Sequence, residues 1–591
     1  MKSIRNMLVA TAMVCLLAST TFAYEAGEYS ASAPGRNGDV TVHVTVSEDA
    51  ITDIQVESEE TENIGVLAME ELAQAVVANQ SLGLDAVAGA TLSSDAFLVA
   101  LSDALTQAGA DVQALKEVSV AKEDAPSYET EADIVVVGAG GAGLTAAVTA
   151  AKEGYSVIVL EKSGVIGGNS LCSVMGINAA GAKVQEELGM EYATPELLKA
   201  LQIRYGGREE LVDAYVENSG KTVDWFAEEL GVVFSKDEPM GGHQEEQAPV
   251  EDPMDLLPPE DDGHPSGSDL FMVKAQADGF TSNTLINTLS SQLDALGIQV
   301  YVNTEATSLL TDENGQVVGV LAKGAQDEVS FTAKAVLLAT GGFGKNHEMV
   351  VEVRPDLENA VTDEIAPTTG DGIRMATEIG AKTVDLSCMQ TFPHVVVGDT
   401  WLPPMAMPGG FMTTAIFVNQ DAKRYTTEGF DSATADTLLQ SKSFVIFGEE
   451  DLNDNLLTLE KRGFVKSAES AAELADLLGL DGQALAETID TYNADCEAGS
   501  DSLFGHQNLK KIEGKLYGSQ MGVGAHYMMG GVLINADTQV LDEEENPIPG
   551  LYAAGEVTGG FHGTIRVDGS GTGDAFVFGH LAGEKIAEAF R

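Results

Sequence analysis

DIVVVGAGGAGLTAAVTAAKEGYSVIVLEK, residues 133–162, sets an apolar run, a glycine-rich turn, an alanine-rich helical stretch and a second apolar run end to end. Ile134 to Val137 is apolar throughout, the pattern of a parallel strand buried on both faces. Gly138, Gly140 and Gly143 follow in the spacing that gives a tight turn, a close backbone approach to a pyrophosphate, and close helix–strand packing. The unpaired N–H groups at the start of the next helix favour an anion there. Glu161 ends the second run, Val157 to Leu160, eighteen residues after Gly143, and is placed to bind ribose hydroxyls. The spacing predicts a strand–helix–strand unit that holds a dinucleotide within an α/β, Rossmann-like domain.

The 591 residues leave room for two to four domains, and 44% hydrophobic content is that of a globular chain. Lys2 and Arg5, the apolar stretch Met7 to Leu17 and the small-residue end Thr21-Phe22-Ala23 have the form of a signal peptide, residues 1–23. The apolar run is shorter than the roughly 20 residues that span a bilayer, so the expectation is an exported protein, periplasmic or on the cell surface. Loss of Lys2 and Arg5 with no acid takes the net charge from −60 to −62. Such a surface excludes nucleic acid and anionic membranes as partners. Cys172, Cys388 and Cys496 are scattered and odd in number, so neither a disulfide framework nor a metal site is indicated. With no CxxCH there is no c-type haem site.

Residues 26–108 read as a small α+β unit. GDVTVHVTVSEDAITDIQVESEE alternates as two strands about an acidic turn, and Leu67 to Val77 and Asp95 to Ala108 have helical periodicity. Between the helices lies SLGLDAVAGATLSSDA, which resembles the D-x-x-[ST]-G-A-[ST] motif of FMN-binding domains of secreted electron-transfer flavoproteins. Asp85, Gly89, Ala90 and Thr91 match, and Ala88 departs from the pattern. The resemblance implies FMN joined covalently to Thr91 by a flavin transferase. The structural alternative is a turn before a helix starting near Asp95, capped by Ser93 or Ser94. Residues 109–131 are polar and read as a linker. Ser235 to Asp269, with six prolines and many acids, reads as a loop or flap.

Beyond Glu161 come Gly167-Gly168-Asn169-Ser170, Asn178-Ala179-Ala180-Gly181, AKAVLLATGGFGKN, Gly370-Asp371-Gly372 and GLYAAGEVTGGFHGTIRVDGSGTGDAFVFG. This order resembles the flavoprotein of soluble fumarate reductases, including the urocanate and acrylate-type reductases, over residues 132–591. The resemblance implies an FAD domain in two parts, 132–385 and 526–591, around an inserted clamp domain, 386–525. It carries non-covalent FAD contacts to Gly138, Gly140, Gly143, Glu161, Asn169, Ser170, Ala306, Gly341, Asp371, Glu556, Ser570 and Gly571. It also implies hydride transfer from flavin to the carbon β to a carboxylate, with a side chain protonating the other carbon. His526 in HYMMGG and Arg566 match the family's substrate residues, and Met240 in PMGG matches a methionine near the flavin.

Two departures shape the expected substrate and mechanism. The histidine and threonine that hold fumarate's second carboxylate are replaced by Phe392 in QTFPH and by Met407 before Pro408. An unpaired carboxylate against apolar walls costs several kcal/mol, so an unsaturated monocarboxylate with an apolar or aromatic far end fits better. Phe392, Met405, Met407 and Phe411 would line that pocket, unless some of them pack the clamp core. The family's proton-donating arginine is replaced by Ser432 in KRYTTEGFDSA, and its feeding pair by Pro408 and Phe411. Asp431, Tyr517, Tyr527 and His394 remain as unranked donors. The expectation is an exported ene-reductase for anaerobic respiration, taking electrons from a membrane-associated donor through FMN to FAD. Fumarate or urocanate reduction is the alternative, and a non-catalytic carrier or binding flavoprotein is the rival class.

Overall fold

The computed structural model describes residues 24–591 except 61–64, 88–89, 119–127, 129, 174, 237–253, 255–256, 258–269, 277–280, 325–327, 363, 399–414, 429 and 506–508. Only the backbone is described at 281, 393–394, 430–433 and 454–455. The signal segment, Met240, Met405, Met407, Pro408 and Phe411 therefore lie outside the described residues, as do the side chains of His394, Asp431 and Ser432. Among the described residues no helix is long and apolar enough to cross a membrane.

The chain divides into two compact units, one built mainly from residues up to 127. Its core is a three-stranded antiparallel sheet, Gly27–Pro34, Asp39–Val46 and Ile51–Glu57, in chain order. The first strand adds to the two read from alternation. Val40, Val42, Val44 and Val46 take alternate positions, so all four point inward against Phe97, Ala100, Leu101 and Ala104 of the helix Thr91–Gln107. That helix begins at Thr91, not near Asp95, and Ala90 occupies its cap position. Ser93 is no cap: its hydroxyl donates to Glu60 Oε2 at 2.6 Å in a buried pair. Ser94 Oγ accepts the Val87 N–H at 3.2 Å, which tightens the loop before the helix. The stretch read as linker starts later than its polarity suggests. Val112–Lys116 is a short helix capped by Asp111, and it inserts Leu115 into this unit's core.

In the second unit a six-stranded sheet runs Gln539–Leu541, Pro547–Ala553, Ala335–Leu338, Ile134–Val137, Val157–Leu160, Gln299–Tyr301. All neighbours are parallel except the first pair. Ile134–Val137 and Val157–Leu160 are buried at every position, as continuous apolar runs require. The glycine-rich faces of Gly141–Lys152 and Ser570–Ala589 pack together, so the two ends of the unit close one domain.

A second six-stranded sheet forms the clamp. Its central strand Leu516–Met528 pairs with Val361–Thr362, Met389–Val396, Ser443–Gly448 and Lys466–Ala468. This strand crosses the expected boundary at 525 without a break, and Val361–Thr362 joins the sheet from before residue 386. The KRYTTE stretch forms a buried ion cluster in the clamp. Arg424 donates to Glu428 at 2.8 and 2.6 Å and to both oxygens of Asp501 at 3.1 Å, with all three side chains at most 1% exposed.

Candidate active site

A long cavity opens at the carboxyl ends of the parallel strands, where open α/β sheets bind ligands. The three glycines take different parts in it. Gly138 has φ +105°, and a Cβ there would lie 2.3 Å from the Ala339 carbonyl oxygen. A Cβ at Gly143 would lie 2.0 Å from the Gly138 carbonyl oxygen, so Gly143 serves helix–strand packing and does not line the cavity. At Gly140 nothing approaches a Cβ closer than 3.9 Å, which leaves bare backbone facing the cavity beside the helix N-terminus. This cradle suits a pyrophosphate.

Glu161, Asn169, Ser170, Ala306, Gly341, Asp371, Glu556 and Gly571 all line the same cavity. Glu161 is buried and one carboxylate oxygen accepts the Ala139 N–H at 2.9 Å, which fixes it at the end of its strand. Asn169 Oδ1 accepts the Ile365 N–H at 2.9 Å, and Ser170 Oγ accepts the Gly141 N–H at 3.3 Å. Lys162 lies 2.5 Å from both Asp371 Oδ2 and Thr369 Oγ1, a cation on the cavity wall that the motif reading passed over. Burial pushes the Glu556 carboxyl above its ordinary range, opposed by the Met528 N–H it accepts at 2.9 Å. Ser570 departs from the expected set. It is fully buried, its N–H donates to Val567 O, and its hydroxyl accepts from Asn178 at 3.1 Å and Gln202 at 2.5 Å. Ser570 therefore pins the helix start, and Gly571, Thr572 and Ala575 form the wall.

At the far end the cavity meets a two-stranded ribbon of the clamp. Gln390 pairs with Tyr527, but Thr391 pairs with Ala525, so His526 is an extra residue on its strand. Adjacent residues of a regular strand face opposite ways; a bulge re-aims them. Here both His526 and Tyr527 line the cavity, together with Gln390 and Phe392, two positions apart on the partner strand. The Phe392 and His526 rings lie 4.5 Å apart.

Arg566 arrives from the other side, after the turn at Gly563, and is buried. Its guanidinium lies 4.8 Å over the Tyr527 ring, and its Nε donates to Gln390 Oε1 at 2.7 Å, with Nη2 donating to the same oxygen. Gly571 permits this, because a Cβ there would be 2.8 Å from Arg566 Nη1 and 2.9 Å from the Tyr527 ring. Gln390 went unread as a site residue, since nothing local marks a glutamine 176 residues from its arginine.

Of the four donor candidates, Tyr527 is at this end of the cavity. Tyr517 lies ten residues back along the same strand, about 33 Å away at about 3.3 Å per residue, stacked on Phe447. Asp431, His394 and Ser432 have no described side chains.

The chain matches the FAD binding domain model over residues 133–572 and the FMN-binding domain model over residues 35–106. It is 32% identical over 599 residues to the urocanate reductase of Eggerthella lenta, spanning 96% of this chain and 94% of that protein. It is also 32% identical to the NADH:fumarate oxidoreductase of Klebsiella pneumoniae, over 94% of this chain and 57% of that one. The open conformation of a flavocytochrome c3 fumarate reductase superposes with a TM-score of 0.68 at 29% identity, covering 80% of this chain and 83% of that one. With its glycine cradle, its Arg566 end and an FMN-binding domain ahead of them, the chain belongs to the flavoprotein fumarate and urocanate reductase family, FAD-dependent oxidoreductases of CH–CH groups.

Proposed function

We propose that this protein is an exported reductase of an unsaturated monocarboxylate whose far end is apolar or aromatic, an aryl acrylate type, serving anaerobic respiration. The observation that carries the reading is the make-up of the ribbon end of the cavity: Arg566 held by Gln390, with His526 beside it and the Phe392 ring against His526. Gln390 occupies the Nε edge of the guanidinium, which leaves Nη1 to a carboxylate. Arg566 and His526 would stabilise charge gathering on that carboxylate as its β-carbon is reduced. Phe392 would offer the substrate an aromatic wall in place of a second donor.

The cradle at Gly138, Gly140 and Ser170, with Glu161, Asn169, Asp371 and Glu556, would hold FAD along the cavity. Bound FAD would supply the hydride, with the FMN-binding domain as the entry for electrons. Thr91 is exposed at the first turn of its helix, where a flavin transferase would reach its hydroxyl to join FMN. The signal segment 1–23 supports export, and a membrane-associated redox protein is the corresponding donor.

The test is an anaerobic assay of flavin-loaded protein with reduced viologen against fumarate, urocanate, acrylate and aryl acrylates. Burial of the ring contributes roughly 1.5–3 kcal/mol, and fumarate's unpaired carboxylate costs at least as much. The expected preference for an aryl acrylate over fumarate is therefore about a thousandfold in kcat/KM. Efficient fumarate reduction would overturn the substrate assignment.

A further inference from the structure

Behind the Arg566 end of the cavity lies a buried polar cluster that binding of a carboxylate does not use. The Tyr527 hydroxyl donates to Asp574 Oδ2 at 2.7 Å, and His562 Nε2 lies 3.6 Å from the same oxygen. Asp574 and His562 are each at most 2% exposed. Asp574 Oδ1 and both ring nitrogens of His562 are buried with no hydrogen-bond partner. Three orphan polar atoms in one place are costly unless a proton or water is shared among them. The ring of His562 meets Tyr527 edge-on at 5.3 Å, so the cluster is continuous with the cavity wall.

We propose that Tyr527 is the proton donor for the reduced carbon, and that Asp574 with His562 is the store that recharges it. This rests on the reductase reading above. In the resting arrangement the phenolic proton is held by Asp574. When Asp574 carries a proton it donates to the Tyr527 oxygen, and the tyrosine O–H turns toward the cavity. Hydride addition at the β-carbon leaves an electron pair on the α-carbon. That pair takes the Tyr527 proton, forming the new C–H bond and a phenolate. The Asp574 proton then moves to the phenolate, and a proton from solvent restores Asp574 by way of His562. One hydride and one proton are consumed per double bond.

The surroundings favour this direction. Burial, with Asp574 and Glu556 nearby, holds the Tyr527 phenol well above its ordinary range, so it stays protonated until the carbanion forms. Burial pushes the His562 imidazole down, opposed by Asp574. The other ionisable groups around the cluster are Arg566, Glu556, His526 and Tyr215, whose phenol donates to Asn178 O. Because the donor position of the family's arginine holds Ser432, the chain needs an acid from elsewhere, and Tyr527 is the described candidate that lines the cavity.

Tyr527→Phe keeps the ring beneath Arg566 and removes only the hydroxyl. With flavin-loaded enzyme, kcat should fall by about a hundredfold or more with little change in KM. Asp574→Asn should lower kcat and move the alkaline limb of its pH profile to lower pH, because Asp574 adds to the burial that holds the Tyr527 phenol protonated. Incorporation of 3-fluorotyrosine at 527 should shift the alkaline limb without loss of FAD, and it decides the matter if the other variants do not fold. Tyr527→Phe turnover within threefold of wild type, or an unmoved limb with fluorotyrosine, overturns the assignment. A wild-type enzyme that reduces no unsaturated acid would instead overturn the reductase reading.

Discussion

Phe392→Ala separates recognition of the far end of the substrate from chemistry at its carboxylate. The phenyl ring is half-buried on the cavity wall, two residues along its strand from Gln390. An offset or edge-on pair of aromatic rings contributes about 0.5–1.5 kcal/mol beyond area burial. Area burial itself reaches 1.5–3 kcal/mol only for a fully enclosed ring. For a half-enclosed substrate ring the two together come to about 2 kcal/mol, roughly thirtyfold in kcat/KM at 1.4 kcal/mol per decade. The substitution also removes the neighbour of His526, and that loss should fall on every substrate equally. The informative quantity is therefore the ratio of kcat/KM for an aryl acrylate to that for acrylate itself, measured anaerobically in both proteins. A fall in this ratio of about thirtyfold is expected. An unchanged ratio, with both substrates slowed together, would show that Phe392 only supports His526 and never meets the substrate.

Four further outcomes follow from the geometry. Arg566→Lys keeps a charge but loses the planar fork that Gln390 orients, so kcat/KM should drop by about a hundredfold with FAD content unchanged; wild-type turnover would remove Arg566 from the mechanism. Thr91→Ala should abolish the flavin fluorescence that wild type, made with a flavin transferase, retains in a denaturing gel; persistence would move the attachment elsewhere. Gly143→Ala places a methyl 2.0 Å from a backbone oxygen that cannot yield, so it should cost about 1–3 kcal/mol in thermal stability and reduce bound FAD, read by flavin absorbance. Burial pushes the His580 imidazole down to about 4, so between its ordinary 6.5 and 4 the unfolded chain binds the extra proton and stability falls as pH falls. Between pH 7 and 5 this amounts to about 2 kcal/mol, and His580→Gln should flatten that part of the melting-temperature profile.

What could be read from the sequence was what local rules encode. Ile134–Val137 and Val157–Leu160 declare themselves by unbroken apolarity, and Gly138 and Gly143 by the clash any side chain would make with neighbouring backbone. The hidden parts are those set by tertiary neighbours. Ser93 looks like a helix cap until Glu60, 33 residues earlier, takes its hydroxyl. Leu115 sits in a polar stretch and still belongs to a core that the stretch itself does not reveal. Ser570 carries the motif of a cofactor contact, but Asn178 and Gln202 claim its hydroxyl from far along the chain. The pairing of Tyr527 with Asp574 joins two motifs that each read completely on their own.

The extra residue at His526 makes the site depend on a count as well as on identities. If one residue were inserted between Gln390 and Thr391, opposite His526, the two strands could pair regularly, and neighbouring side chains would again point to opposite faces. One of the imidazole and the phenol would then leave the cavity, although every residue type needed for catalysis could still be present. Relatives with a different spacing at this point should therefore differ in which group faces the substrate. An alignment that closes such a gap for the sake of identity would match residues whose side chains lie on opposite sides of the sheet.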